Sequence, residues 1–223
     1  MRKCPSSYAK NHRMPRLREV SRADATPSVT AMYDVLFGPD CDPTINPRGT
    51  SSGTPGTWWS VFALVPAVFD HAVAGLAVYR NSESELDPKL RELGQCRAGW
   101  ARGSQFVFSQ HCKAMRTHGF TEEQVQAIPF GAGASCWSPI EAAVLAYTDC
   151  LVYDGGRVPD SVFAALKAEL SDEQILYLTY ITALYDMHAV MSKALRTEFD
   201  DRDEPIVEVG GGKLKLWHTE RED

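Results

Sequence analysis

"PKLRELGQCRAGWARGSQFVFSQHCKAMRTHG", Pro88–Gly119, is the stretch that decides the fold. Asp87 just ahead of it suits the N-cap of a helix opened by Pro88, because proline lacks only an N–H that the first turn leaves unpaired anyway. That helix is expected to run to about Ala101. Gly103 then suits its end and Ser104 the N-cap of the next, so the chain should fold back as a helical hairpin. Gly119 closes the second arm.

Working outward, Thr121 with Gln124 and Ser138 with Glu141 stand at capping-box spacing and open two further helices around the loop "PFGAGASCWS". "PDSVFAALKAEL" reads as a short amphipathic helix. Ser171 caps "DEQILYLTYITALYDMHAVMSKALRTEF", the longest helix predicted. No run alternates as a strand would, so the expected fold is all-α, helical hairpins packed as an orthogonal bundle and oligomeric. Toward the N-terminus, "VFALVPAVFDHAVAGLAVY" (Val61–Tyr79) is broken by Pro66, Asp70 and His71 and falls short of the roughly 20 apolar residues of a membrane span. It is expected as a buried helix. "PDCDPTINPRGTSSGTPG" before it is a long ordered loop. One all-α domain is expected over 14–201, with its core at 86–201. Residues 1–13 would be a disordered extension, and 202–223 a tail that pairs briefly or wraps a neighbour.

Composition narrows the partners. The 223 residues are 44% hydrophobic and 23% charged with a net charge of -6, ordinary for a globular chain. No basic run offers a face for a nucleic-acid backbone. Six cysteines without a C-x-x-C pair point to free thiols in a reducing cytoplasm.

The second arm of the hairpin carries Ser104, Val107, Phe108, His111, Ala114, Met115 and His118 on one face. Alone on so apolar a stripe, His111 reads first as a packed core histidine. Glu92 changes that weighing: it lies about eleven residues before the turn, and His111 about seven or eight after it, an offset of roughly 5–6 Å along antiparallel axes. A Glu–His pair is within reach, and a carboxylate buried beside an imidazole fixes its tautomer, as a general acid/base needs. A solvated Glu92 is the plainer alternative. Cys96 follows Glu92 by one turn and is the better thiol candidate, whereas Cys112 points about 100° away from His111. His111, Cys112 and His118 lack any zinc-ligand spacing, and no metal site is assigned. "FGAGAS" and "VGGGK" follow no strand and are read as loops. On the last helix Leu178, Ile181, Tyr185, His188 and Ser192 share a face, for structure before chemistry. Trp58 and Trp59 read as core or oligomer contacts first and as a pocket wall second.

Taken together, "LRELGQCRAGWARGSQFVFSQHCKAMRTHGFTEEQVQAI", "SPIEAAVLAYTDCLV" and "LSDEQILYLTYITALYDMHAVMSKALRTEFDD" resemble the helical core of the carboxymuconolactone decarboxylase and alkyl-hydroperoxidase-D superfamily, over about Leu86–Asp201. "GTPGTWWSVFALVPAVFDHA" looks like the front part of longer members. The hydroperoxidase branch is similar through Glu, then Cys-x-x-Cys, then His. Here the cysteine positions hold Ser104 and Val107, while Glu92 and His111 remain. Peroxide reduction needs an attacking and a resolving thiol, so that chemistry would have to be rebuilt from Cys96 and Cys112. The decarboxylase branch implies a cofactor-independent lyase or isomerase that moves protons on a small cyclic carboxylic acid or carboxylated lactone, as in the catabolism of aromatic compounds. His111 would be the acid/base and Glu92 its partner, with Cys96 the remaining catalytic candidate. Phe106, Val107, Phe108, Met115, Trp58, Trp59, Tyr185 and His188 would form a wider apolar pocket. The resemblance also implies a homo-oligomer, as a dimer, trimer or hexamer. A non-catalytic helical module that binds a ligand or builds a ring is the third reading.

Overall fold

A computed structural model describes residues 14–45, 49–50, 54–79, 85–201 and 206–209. The described chain is helical without a strand: α1 (Pro27–Phe37), α2 (Thr57–Phe62), α3 (Pro66–Tyr79), α4 (Pro88–Ala101), α5 (Gln105–Thr117), α6 (Glu122–Ala127), α7 (Pro139–Tyr153), α8 (Asp160–Lys167) and α9 (Asp172–Leu195). The expectations for 1–13, most of the 202–223 tail and part of the 39–56 loop lie outside the described residues. No described helix is long and apolar enough to cross a membrane.

The helix starts follow local chemistry. Asp87 accepts from the Lys89 N–H at 2.9 Å, and Ser104 accepts from that of Val107 at 3.2 Å. Reciprocal capping boxes close at Thr121/Gln124, Ser138/Glu141 and Ser171/Gln174. Val61–Tyr79 departs from the single buried helix expected. Proline has no N–H for the helical ladder and its ring crowds the preceding turn, so α2 stops at Phe62 and α3 restarts at Pro66. Of α3 only Phe69, Ala72 and Gly75 are buried, and Val68, Asp70, His71 and Val78 face outward.

At the centre, α4 packs against α5, α7 and α9. Gly99 sets how closely α5 approaches: a Cβ there would stand 2.7 Å from the Phe108 nitrogen and 2.8 Å from Val107 Cγ1. On the opposite side Arg97 is clamped between Asp149 of α7, at 2.6 and 3.0 Å, and the carbonyls of Ile128 and Pro129. Leu90, Leu93, Cys96, Phe108, Cys112, Met115, Val144 and Leu178 belong to the main core; Tyr33, Phe37, Trp58, Phe62 and Phe69 form a second cluster beneath α1–α3.

The chain after α9 ties these clusters together. Arg196 and Glu198 adopt left-handed backbone conformations, and the turn Glu198–Asp201 aims two carboxylates at other helix starts. Glu198 accepts from the N–H groups of Gly56 and Trp58 at 2.9 and 2.6 Å, at the head of α2. Asp200 accepts from the Ser104 hydroxyl and the Gln105 N–H at 2.5 and 2.6 Å, at the head of α5. Both carboxylates sit where helix dipoles favour negative charge. Residues 206–209 then lie along α5, with Glu208 paired to Arg116 at 2.6 Å and the Val209 N–H donating to Ser109 Oγ at 2.8 Å.

Candidate active site

Hairpin arithmetic places Glu92 and His111 across the α4–α5 interface, and there they meet: His111 Nδ1 stands 2.8 Å from Glu92 Oε2. Glu92 is 0% exposed and His111 3%. The other carboxylate oxygen, Oε1, accepts from the Tyr79 hydroxyl at 2.9 Å and from Arg91 Nε and Nη2 at 3.1 and 2.9 Å. Arg91 is itself held by the Tyr79 carbonyl at 3.0 Å and lies over the Tyr79 ring. Burial alone would raise the Glu92 pKa. The hydrogen bond and charge of His111, with the Arg91 guanidinium, outweigh burial and hold the carboxyl below its ordinary range. A carboxylate so fixed can accept the Nδ1–H of the imidazole, which selects the tautomer with its lone pair on Nε2. Tyr79 is pushed well above its ordinary pKa by burial and by Glu92, so it stays a hydrogen-bond donor.

The His111 ring stands edge-to-face against Tyr185 of α9 at 4.5 Å, and Tyr185 continues to His188 at 5.4 Å. His188 in turn meets Trp58 at 5.1 Å, which stacks on Phe62 at 3.9 Å. A row of rings from three helices thus leads from the Glu92–His111 pair into the second cluster. Burial, followed by the His111 charge, lowers the His188 pKa to about 4, so this imidazole is neutral near pH 7.

The remaining expected site residues are distributed differently. Phe108 and Met115 fill the main core, where Val107 packs against Gly99. Phe106 and Trp59 pack on the second cluster, Trp59 meeting Phe69 at 5.9 Å. Cys96 is fully buried in the main core, with its Sγ 3.7 Å from Cys112 Sγ and 3.9 Å from the Phe108 carbonyl. Burial, reinforced by Cys112, raises its thiol pKa well above the ordinary value, the opposite of what a nucleophilic thiolate requires. Cys112, about 100° around α5 from His111, reaches α4 at Cys96 while His111 reaches it at Glu92. His111 and Cys112 straddle the direction of α4, so residues 100° apart both reach it. Among the described residues no group of three His, Cys, Asp or Glu side chains is placed to hold a metal ion.

Tyr79 and Arg91, the partners of Glu92, escaped the sequence reading. Arg91 adjoins Glu92, but Tyr79 comes from α3 with no periodic relation to it. Glu198 and Asp200 escaped it as well, since a polar turn after a helix carries no mark of what it will cap.

Residues 66–149 match the family model described as "Carboxymuconolactone decarboxylase family". The matched segment contains Glu92 and His111 and stops short of α9. No curated protein matches the chain. Among solved structures, the alkylhydroperoxidase AhpD core of an uncharacterized peroxidase-related protein from Ralstonia eutropha JMP134 superposes with TM-score 0.65 at 14% identity, over 83% of this chain and 92% of that one. The debrominase Bmp8 gives 0.61 at 14%, over 82% and 89%. A protein of unknown function from Agrobacterium tumefaciens gives 0.55 at 23%, over 60% and 91%. Residues 66–149 of this chain thus resemble the carboxymuconolactone decarboxylase family, and the described chain has an AhpD-like, all-helical fold.

Proposed function

We propose that this chain is a cofactor-independent lyase or isomerase that moves protons on a small cyclic carboxylic acid or carboxylated lactone. His111 is its catalytic residue and Glu92 its positioning residue. The observation that carries the reading is the 2.8 Å bond from His111 Nδ1 to a fully buried carboxylate whose second oxygen is already saturated by Tyr79 and Arg91. Such a carboxylate holds one tautomer and stabilises the imidazolium formed when Nε2 takes a proton. In a decarboxylation, the C–C bond electrons move into the ring as CO₂ leaves, giving a dienolate. Nε2–H of the imidazolium then protonates the distant carbon, and solvent water returns a proton to Nε2, so that each carboxylate lost as CO₂ consumes one proton. In an isomerisation the same nitrogen removes a proton at one carbon and delivers it at another. The complex of Bmp8 with 2,3,4-tribromopyrrole supports a small planar ring as ligand class for this fold.

CO₂ release from a panel of carboxylated lactones and related cyclic acids tests the proposal. Turnover by the wild type that vanishes in a folded His111→Ala variant is expected. Turnover that survives the substitution refutes it. The 3.7 Å contact of Cys96 and Cys112 favours a second, thiol-dependent hydroperoxidase-like reading. Peroxide-dependent loss of thiols, abolished by Cys96→Ala or Cys112→Ala, would support that reading instead.

A further inference from the structure

Buried polar atoms are ordinarily paired, and α7 and α9 show how a helical threonine manages it. Thr148 and Thr179 donate back to the carbonyls of Val144 and Ile175 at 2.8 and 2.6 Å. On α4, α9 and α2 this order breaks down. Gln95 of α4 is 0% exposed, yet neither its Oε1 nor its Nε2 has a hydrogen-bond partner among the described residues. The same holds for Thr182 Oγ1, His188 Nε2 and Ser192 Oγ on α9, and for Trp58 Nε1, whose ring packs on His188.

The direction of Gln95 follows from its neighbours on α4. Arg102, which pairs with Asp186 of α9, is offset from it by only about 20° around the helix, and Gly99, which abuts Val107 and Phe108 of α5, by about 40° on the other side. Gln95 therefore faces the seam between α5 and α9, where His111 meets Tyr185. It lies one turn from Glu92. A buried carboxamide needs a partner for each polar atom, and a missing one costs about as much as a lost hydrogen bond; none of the described protein groups supplies either. An acceptor and a donor side by side at such a place are arranged for a ligand that returns both bonds.

We propose that Gln95 is a substrate-orienting residue, whose carboxamide takes a planar ring carrying a hydrogen-bond acceptor beside a donor, as in an enolised lactone or a cyclic α-hydroxy-carbonyl compound. The inference rests on the reading of His111 as the centre of the site, and it narrows the substrate class for that centre. Gln95 Nε2 donates to the ring carbonyl and Oε1 accepts from the adjacent hydroxyl, which turns the ring edge toward α4 and exposes a ring carbon to His111. His188 and Trp58, farther along the row of rings, offer hydrogen bonds to a second polar group at the far end.

The test uses the full chain and 2-pyridone, whose neighbouring C=O and N–H pair with a carboxamide in the required way. 1-Methyl-2-pyridone, with the donor blocked, is the control. Calorimetric titration of the wild type should give saturable one-to-one binding of 2-pyridone. Binding should weaken at least tenfold for the methylated ring and for Gln95→Leu. Because leucine removes two unpaired polar atoms, this variant should unfold at the wild-type temperature or above it, which a structural hydrogen-bonding role for Gln95 would not allow. The Gln95 side-chain amide signals of the wild type should also shift on addition of 2-pyridone, a readout that needs no variant. Absence of saturable binding, equal binding by Gln95→Leu, or unmoved amide signals would overturn the proposal. A turnover assay indifferent to His111→Ala would sink the acid–base reading while leaving a positive 2-pyridone result standing, so the two failures are distinguishable.

Discussion

Replacing Glu92 by glutamine changes one atom and should alter both stability and chemistry. The position of Oε1 is surrounded by three donors, the Tyr79 hydroxyl and Arg91 Nε and Nη2, so the amide oxygen must take that place. The amide nitrogen is then forced against His111 Nδ1 at the 2.8 Å position. Two donors cannot face each other, so the imidazole proton moves to Nε2 and the nitrogen turned to substrate loses its lone pair. Turnover should fall by about 10²–10⁴ with the loss of the general base. The stability cost comes from Arg91, whose side chain is only 13% exposed and keeps its charge without a counter-ion. Breaking one partner of a buried pair costs about 3–5 kcal/mol, and the three hydrogen bonds retained by the amide oxygen put this case near the lower end, at about 3 kcal/mol. Glu92 is held below its ordinary pKa, so its contribution is present above the unfolded value of 4.5 and is lost as pH falls through the folded value. The gap between wild type and variant in urea unfolding should therefore be full at pH 7 and shrink below about pH 4.5. Nitrogen NMR of His111 reads the tautomer independently. A variant within about 0.5 kcal/mol of wild type at pH 7, with the proton still on Nδ1, would refute the reasoning.

Two further perturbations probe the scaffold around the pair. Gly99→Ala puts a Cβ 2.7 Å from the Phe108 backbone nitrogen, which cannot yield as a side-chain tip would. Overpacking of about 1–3 kcal/mol is expected in urea unfolding, with turnover lost in step as α5 shifts; an unchanged midpoint would contradict the close approach of the two helices. Glu198 is raised by burial to about 7 despite the N–H groups of Trp58 and Gly56. The folded state thus binds its proton more tightly than the unfolded chain, and stability from this group is greatest below pH 4.5 and declines as pH rises toward 7. Glu198→Gln should flatten the stability profile of the wild type between those values by about 3 kcal/mol; parallel profiles would show that Glu198 does not titrate in that window.

Local rules made the hairpin legible from sequence. Asp87, Ser104, Thr121, Ser138 and Ser171 each satisfy N–H groups a few residues away, so the starts of α4 to α7 and α9 are written in the chain beside them. A tight turn also indexes one arm of a helical hairpin against the other, which is why Glu92 and His111 could be paired by counting. Beyond neighbours in sequence that counting fails. Tyr79 reaching Glu92, Tyr185 reaching His111, His188 meeting Trp58, and Glu198 and Asp200 capping α2 and α5 all depend on how separate helices are docked. Helix docking is set by the whole packed surface and by close approaches such as that at Gly99, and a packed surface leaves no short-range pattern to read. Gln95 shows the same division: its polarity is plain in "RELGQC", but only the tertiary structure buries it without a hydrogen-bond partner among the described residues.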